Sequence, residues 1–100
     1  MLVIPLSSEF IPAVLNGRKL STIRLGRRPY PCGPCVLRAK NWELPIEIHN
    51  VRFSRLDELT QDDAHVDGFT SLEELHEELR RFYPSVGPND CVTIVEFVKK

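Results

Sequence analysis

Apolar residues alternate with polar ones, or run continuously, in five segments that we predict to be strands. The predicted strands are residues 2–6, 20–24, 35–40, 44–53 and 91–98. β-Branched residues dominate the last of these segments, as is typical of a buried strand. The alternation within the fourth segment slips near Asn50 and Val51, which predicts a β-bulge at that point.

Apolar residues spaced three and four positions apart predict helices between these strands. The first predicted helix begins near residue 9 and ends at Gly17. A second, shorter helix is capped by Thr60 and ends at Gly68. A single turn of helix is also expected over residues 56–59, directly before that cap.

The third predicted helix has the clearest amphipathic pattern in the chain. Its apolar face consists of Leu72, Leu75, Leu79 and Phe82. Its polar face is predicted to consist of Glu73, Glu74, Glu77, Glu78 and Arg81. The capping-box pattern of Thr70 and Glu73 predicts where this helix begins, and Pro84 predicts where it ends.

The order of these elements predicts an α+β fold in one domain that spans residues 1–100. Most strands lie in the first half of the chain, a helical insert follows, and one strand returns afterwards. This order is typical of a small mixed β pseudo-barrel, closed or half-closed, with peripheral helices. A ligand is then expected to bind in a cleft at the mouth of the barrel.

Charge is distributed unevenly along the chain. Residues 1–50 carry seven Lys or Arg and three acidic residues, which gives a net charge of +4. Residues 51–100 carry six Lys or Arg and eleven acidic residues, which gives a net charge of −5. A basic half is typical of proteins that bind nucleotides or nucleic acid, but an overall charge of −1 argues against tight non-specific binding to DNA. The acidic half is also explained by the solvated surface of one helix and its preceding turn.

Nothing in the sequence predicts export or membrane insertion. No apolar stretch approaches the ~20 residues that span a bilayer. Pro5 and the lack of a basic leader argue against a signal peptide in the N-terminal segment. A cytoplasmic location without a membrane partner is therefore expected.

Three cysteines, an odd number, argue against a disulfide framework. Cys32-Gly33-Pro34-Cys35 has the spacing of a thioredoxin-like redox motif, but a strand is predicted after it where that motif requires a helix. We therefore expect Cys32 and Cys35 to lie in a surface turn and to tolerate serine, and Cys91 to be a small core residue. No cluster of Cys or His has the spacing of a metal site, so no metal or other cofactor is expected.

The segment from Gly17 to Arg24 concentrates side chains that are useful for chemistry. Gly17 is suited to end a helix, because glycine tolerates a positive φ after the last turn. In an extended chain Thr22 and Arg24 lie on one face, and Lys19 reaches towards them from the preceding turn. The spacing alone favours a solvated turn that enters an edge strand, because hydroxyls and basic side chains are mostly exposed.

The spacing Gly17-x-Lys19-x-x-Thr22-x-Arg24 resembles the signature of the ASCH domain family, whose fold is similar to that of the PUA RNA-binding domain. Further similar blocks follow in order along most of the chain. They are Gly33, Leu56…Leu59-Thr60, Ala64-His65-Val66-Asp67-Gly68-Phe69, Ser71-Leu72-Glu73-Glu74-Leu75, Phe82-Tyr83-Pro84 and Val92-Thr93-Ile94-Val95-Glu96-Phe97. The resemblance implies a PUA-like mixed β pseudo-barrel with a cleft that faces RNA or a nucleoside-like ligand.

Small members of this family include amidohydrolases that remove the acetyl group from N4-acetylcytidine. The resemblance implies a catalytic set in which Thr22 is the nucleophile, Lys19 is the base, and Asp67 orients Lys19 or protonates the leaving amine. Arg24 is expected to bind an anionic or carbonyl oxygen. The family has a glutamate where this chain has Asp67, and a carboxylate placed about 1 Å short can cost about a hundredfold in rate.

Other functions stay open at this point. A non-catalytic module that binds single-stranded RNA through the same basic face is the first alternative, and a ribonuclease is the last, because no suitable pair of histidines is evident. The site itself has a structural alternative, in which Lys19 and Asp67 form an ion pair that closes the barrel mouth and Thr22 only bonds to backbone. The remaining residues expected to contact a nucleoside or RNA are Arg18, Ser21, Arg27, Arg28 and Tyr30.

Overall fold

Five strands form one mixed sheet in the computed structural model, which describes residues 1–100. The strands are β1 (Val3–Pro5), β2 (Ser21–Leu25), β3 (Gly33–Ala39), β4 (Trp42–Arg55) and β5 (Cys91–Lys99). Their order across the sheet is β1-β3-β4-β5-β2, with β1 parallel to β3 and the other pairs antiparallel. The sheet curls so that its two edges, β1 and β2, approach each other without pairing, which makes it a half-barrel.

Three α-helices and two 3₁₀ turns surround this sheet. The helices are α1 (Ile11–Leu15), α2 (Gln61–Val66) and α3 (Leu72–Phe82), and the 3₁₀ turns are Ser8–Phe10 and Leu56–Glu58. The first predicted helix is divided between a 3₁₀ turn and α1, because Pro12 has no N–H with which to continue an α-helical bond to Ser8. None of the helices combines the length and the apolar character that crossing a membrane requires.

Two hydrophobic clusters lie on opposite faces of the sheet. Strand β5 supplies Val95 and Phe97 to the first cluster and Val92 and Ile94 to the second, as the two-residue period of a strand dictates. The first cluster consists of Ile4, Leu6, Val14, Cys35, Leu37, Ile46, Ile48, Val95 and Phe97. The second consists of Ile23, Leu56, Leu59, Ala64, Leu75, Leu79, Val92 and Ile94, so α2 and α3 cover this face.

Most of the predicted local signals are confirmed. The β-bulge lies between Ile48 and Asn50, and Thr60 forms a capping box with Asp63 at the start of α2. The predicted cap of α3 was wrong by one residue: Ser71 is the cap and accepts a hydrogen bond from the Glu74 N–H. Thr70 instead bonds to the Glu74 carboxylate through its own N–H and hydroxyl, which satisfies both threonine donors outside the helix.

The expected surface turn for both cysteines of the Cys-Gly-Pro-Cys segment was wrong for Cys35. Strand β3 already begins at Gly33, so Cys35 pairs with Ile46 and is fully buried in the first cluster, whereas Cys32 is exposed. Burial raises the pKa of the Cys35 thiol, and its hydrogen bonds to the backbone only partly oppose this effect. All three cysteines are free, and Cys35 is an apolar packing residue.

Serine substitution is therefore expected to distinguish the two cysteines. Cys35→Ser places a strongly polar hydroxyl among aliphatic side chains and should lower the free energy of unfolding by about 2 kcal/mol. Cys32→Ser is the matched control and should leave stability unchanged, because its side chain already lies in solvent. Urea unfolding of the two variants measures the difference, and equal stabilities would contradict the buried position of Cys35.

An ion pair between Arg52 and Asp63 fastens α2 to strand β4. The Asp63 carboxylate is buried, receives hydrogen bonds from Arg52 and from the Thr60 N–H, and also completes the capping box. Burial alone raises the pKa of Asp63, but the hydrogen bonds from Arg52 and Thr60 outweigh it and hold the pKa below its ordinary value of 3.8. The ionised carboxylate is therefore the form that stabilises the fold.

A pH-dependent loss of stability follows from this lowered pKa. The contribution of Asp63 is fully present above its unfolded-state pKa and is lost as the pH falls through the lower, folded-state value. Asp63→Asn should cost about 1 kcal/mol near neutral pH, since Arg52 is partly exposed and solvent screens the pair. The difference between wild type and variant in urea unfolding should shrink below about pH 4. A difference that stays constant down to pH 2, well below that range, would argue against the ion pair.

Candidate functional site

A cavity of about 160 Å³ opens in the gap between the two edges of the half-barrel. Leu6 and Ser7, which follow β1, line one side, and residues Thr22 to Arg24 of β2 line the other. Arg24 crosses the gap, because its Nη2 donates a hydrogen bond to the carbonyl oxygen of Pro5. Helix α3 covers the cavity from the face that carries the second cluster.

Lys19 and Asp67 form a buried ion pair at this cavity. Lys19 Nζ lies 2.9 Å from Asp67 Oδ1, and the two side chains are only 4% and 6% exposed. The Ser21 hydroxyl donates to the same Oδ1 at 2.9 Å, so both hydrogen bonds fall on one carboxylate oxygen. The shorter aspartate therefore still reaches the lysine, and the ion pair of the structural alternative exists.

Backbone contacts hold both partners of this pair in place. The Lys19 N–H bonds to Ala13 of α1, the Leu20 N–H bonds to Val66 of α2, and the Leu20 carbonyl accepts from Phe97 of β5. Asp67 is the residue that ends α2. The segment before β2 is thus fixed to two helices and to the central sheet.

Burial dominates the electrostatics of Asp67. Desolvation raises the pKa of Asp67, while the charge of Lys19 and the hydrogen bonds from Lys19 and Ser21 oppose that rise. Lys19 Nζ also lies 5.0 Å from the ring centroid of Phe10, where the face of the aromatic ring attracts a cation. Water therefore screens the attraction between Lys19 and Asp67 only weakly.

Two polar groups of β2 are free to contact a ligand. The Thr22 side chain is buried at the cavity wall, and its hydroxyl forms no hydrogen bond within the protein, in contrast to the backbone bond of the structural alternative. Arg24 Nε is buried without a hydrogen-bond partner, although Nη2 of the same side chain is bonded. Buried donors normally find an acceptor, so this nitrogen marks a place for a ligand oxygen.

Glu78 is a cavity residue that the sequence analysis missed. It was assigned to the solvent face of α3, but it lines the cavity and is only 26% exposed. Desolvation raises the pKa of Glu78, the charge of Glu74 raises it further, and Lys19 opposes both effects. The signal in the sequence was its position between Leu75 and Leu79, at the border of the apolar face of the helix.

Aromatic side chains form the apolar part of the wall. The ring centroids of Phe10 and Phe69 are 6.2 Å apart in an edge-to-face arrangement, and those of Phe10 and Phe82 are 6.0 Å apart. All three line the cavity, together with Tyr83 at the end of α3. Such walls are suited to a flat aromatic ring, and the polar groups of the site define its orientation.

The structure brings together four of the nine predicted site residues at the cavity, namely Lys19, Thr22, Arg24 and Asp67. Ser21 contacts the site only through Asp67. The other four lie outside it: Arg18 borders a shallow depression with His65, Arg27 stacks on Phe53, Arg28 bonds to the Leu25 carbonyl, and Tyr30 packs on the first cluster.

Gly68 gives a direct test of how Lys19 is positioned. Gly68 and Gly17 both have positive φ values, +94° and +82°, so alanine is strained at either position. A Cβ at Gly68 would also lie 3.2 Å from Lys19 Cβ, whereas a Cβ at Gly17 meets nothing. Gly68→Ala should therefore displace Lys19 and destabilise the protein more than Gly17→Ala, by a margin of about 1 kcal/mol in urea unfolding. Equal effects would mean that the contact with Lys19 carries no cost.

Comparison with known proteins yields similar structures only. No family model matches the chain, and no curated protein matches it significantly. The hypothetical protein PH0355 superposes with a TM-score of 0.74 at 18% identity, over 99% of this chain and 98% of its own. An ASCH domain from Lactobacillus crispatus gives 0.73 at 18% identity, over 88% of this chain and 68% of its own. A variant of ZmASCH from Zymomonas mobilis superposes with a TM-score of 0.68 at 17% identity, over 97% of this chain and 68% of its own.

These similarities bear on architecture. At such low identities a likeness of structure shows the fold and leaves the chemistry to the side chains of the site. The α+β half-barrel with peripheral helices agrees with the architecture that the sequence resemblance implied. The chain has the fold of the ASCH domains.

Proposed function

We propose that the cavity binds the base of a nucleoside and that the protein hydrolyses an acyl group from the exocyclic nitrogen of that base, as in N4-acetylcytidine. The observation that carries this proposal is that the free Thr22 hydroxyl and the buried Lys19–Asp67 pair line the same small cavity. The likeness of the Gly17–Arg24 segment to the ASCH signature supports the same chemistry.

The size of the cavity supports a single ring as its occupant. A cavity of about 150 Å³ with apolar walls is large enough to hold benzene. The present cavity, of about 160 Å³, is similar in volume and is bordered by Phe10, Phe69 and Phe82. A pyrimidine base fits such a space, whereas its ribose would remain at the mouth.

Each polar group of the cavity has a role in amide hydrolysis. Thr22 Oγ attacks the acyl carbon, Lys19 accepts the hydroxyl proton, and Arg24 Nε donates to the oxygen that becomes negative. Lys19 can accept a proton only as a neutral amine. The buried ion pair with Asp67 fixes the position of the Lys19 amine at the cavity that Thr22 also lines. Asp67 is then a positioning residue for Lys19.

The test is turnover of N4-acetylcytidine by the purified protein, followed as cytidine by chromatography. Lys19→Ala should lower kcat/KM by at least about a hundredfold, the usual contribution of a general base. Lys40→Ala is the matched control, because Lys40 is exposed in the turn between β3 and β4. It should retain wild-type activity.

Thr22→Val distinguishes a loss of catalytic activity from a loss of folded protein. Lys19→Ala leaves the Asp67 carboxylate buried without its cation, which can cost about 3–5 kcal/mol of stability. Thr22→Val preserves the ion pair and the shape of the side chain, so it should abolish turnover while circular dichroism and urea unfolding stay close to wild type. Full activity in this variant would overturn the assignment of the nucleophile.

Binding of RNA without chemistry is a second candidate function. Arg18, Arg27 and Arg28 are exposed and lie outside the cavity, where they offer cations to phosphates. Affinity for a single-stranded RNA should then fall steeply as the salt concentration rises, because counterions are released on binding. Salt-dependent RNA binding together with no turnover of the acetylated nucleoside would favour this function and overturn the hydrolase.

A further inference from the structure

We propose that Glu78 is the acid that protonates the leaving nitrogen, which makes it a catalytic residue of the proposed hydrolysis. This inference rests on the proposed function and adds a residue to it. Three observations carry it. Asp67 is already bonded to Lys19 and Ser21, Glu78 lies in the cavity wall, and Arg81 holds the Glu78 carboxylate in place.

Asp67 is already engaged with the base. Lys19 and Ser21 both donate to Oδ1, and the Asp67 side chain is only 6% exposed. The carboxylate thus already serves the lysine that it positions, and a separate acid would leave this pair undisturbed. Breakdown of an amide needs a proton on the departing nitrogen, and a second acid at the cavity can supply it while the Lys19–Asp67 pair stays intact.

Glu78 is the other carboxylate that lines the cavity. It lies on α3, whereas Lys19 and Asp67 approach from the segment before β2 and from the end of α2. The aromatic side chains Phe69 and Phe82 border the same space. A ring bound between these walls therefore has the nucleophile and base on the strand side and Glu78 on the helix side.

Arg81 holds the Glu78 carboxylate while leaving part of it available. Arg81 Nη2 lies 2.8 Å from Oε2, and Nε lies 3.2 Å from Oε1. A carboxyl group has about four lone-pair sites, so two hydrogen bonds leave room for a ligand. Arg81 also pairs with Glu9 of the first 3₁₀ turn, so its charge is shared between two acids.

The surroundings of Glu78 shift its pKa upwards, although its pairing with Arg81 favours the ionised form. Desolvation and the neighbouring Glu74 raise its pKa, which outweighs the attraction of Lys19. The charged and titratable groups at the cavity or in contact with Glu78 come from every element around it. Glu74 and Arg81 lie on α3, and Tyr83 directly follows that helix. The groups from other elements are Asp67 at the end of α2, Lys19 before β2, Arg24 in β2, and Glu9, which is linked to Glu78 through Arg81.

The acylation step is balanced with these groups. Thr22 Oγ bonds to the acyl carbon as its proton passes to Lys19, and the C–N bond breaks with its electron pair on nitrogen. The proton of Glu78 goes to that nitrogen, which releases the free amine of the base. Water then attacks the Thr22 ester, gives one proton to the Glu78 carboxylate, and forms the free acid, while Lys19 returns its proton to Thr22.

The experiment compares two acetyl substrates, one whose leaving group needs a proton and one whose leaving group does not. N4-Acetylcytidine has a poor leaving nitrogen, whereas p-nitrophenyl acetate releases a stable nitrophenolate without protonation. With protein in excess over substrate, the release of cytidine or nitrophenolate reports acylation alone. Glu78→Gln should slow acylation by the amide by about a hundredfold or more, the range for a lost general acid, and leave that by the ester unchanged.

Glu77→Gln is the matched control, since Glu77 lies on the same helix but is exposed to solvent. It should behave as wild type with both substrates, and Lys19→Ala should slow both. If Glu78→Gln fails to fold, as judged by circular dichroism, Glu78→Asp replaces it, and a partial loss confined to the amide is then expected.

The remaining outcomes separate this inference from the function on which it rests. Equal losses with both substrates would make Glu78 a structural residue and overturn the proposal, as would an unaffected amide rate. Failure of the unaltered protein to release cytidine would overturn the proposed function, and this inference with it.

Discussion

The buried ion pair between Lys19 and Asp67 is the interaction on which the organisation of the site depends. Removing two charges from water is costly, so each partner is tolerable only while the other is present. The pair joins the segment before β2 to the end of α2, and it therefore sets the position of the helical insert against the edge of the sheet. Stability and the proposed chemistry rest on the same two side chains, so a protein that has lost one of them loses both properties.

The incomplete closure of the sheet is what provides a place for a ligand. Strands β1 and β2 do not pair, and a side chain of β2 rather than a ladder of backbone hydrogen bonds spans the gap between them. Full closure would fill this space with strand-to-strand contacts. The fold shared with ASCH domains thus supplies an opening, while the side chains around it determine what the opening does.

Much of the architecture could be predicted from the sequence because it depends on local periodicity. The strand order could not, and neither could the distinction between Cys32 and Cys35, which depends on where β3 starts. Glu78 shows the limit most clearly. Helical periodicity gives the direction of a side chain relative to its own helix, but whether that direction meets solvent or a cavity depends on β1 and β2, which are distant in the sequence. Lys19 stood out within its own segment, but only the resemblance linked it with Asp67, which lies 48 positions further along the chain.

The position of β5 between β4 and β2 has a consequence for the order in which the molecule assembles. Strand β2 pairs with β5 alone, and β5 is synthesised after the other four strands of this sheet. An emerging chain can form the β3–β4 hairpin and add β1 to it, but β2 has no neighbour until β5 leaves the ribosome. Contacts between such distant segments are slow to form, because a long loop must close first. The wall of the cavity that carries Thr22 and Arg24 is therefore completed late in folding, after the opposite wall at β1 has its partner.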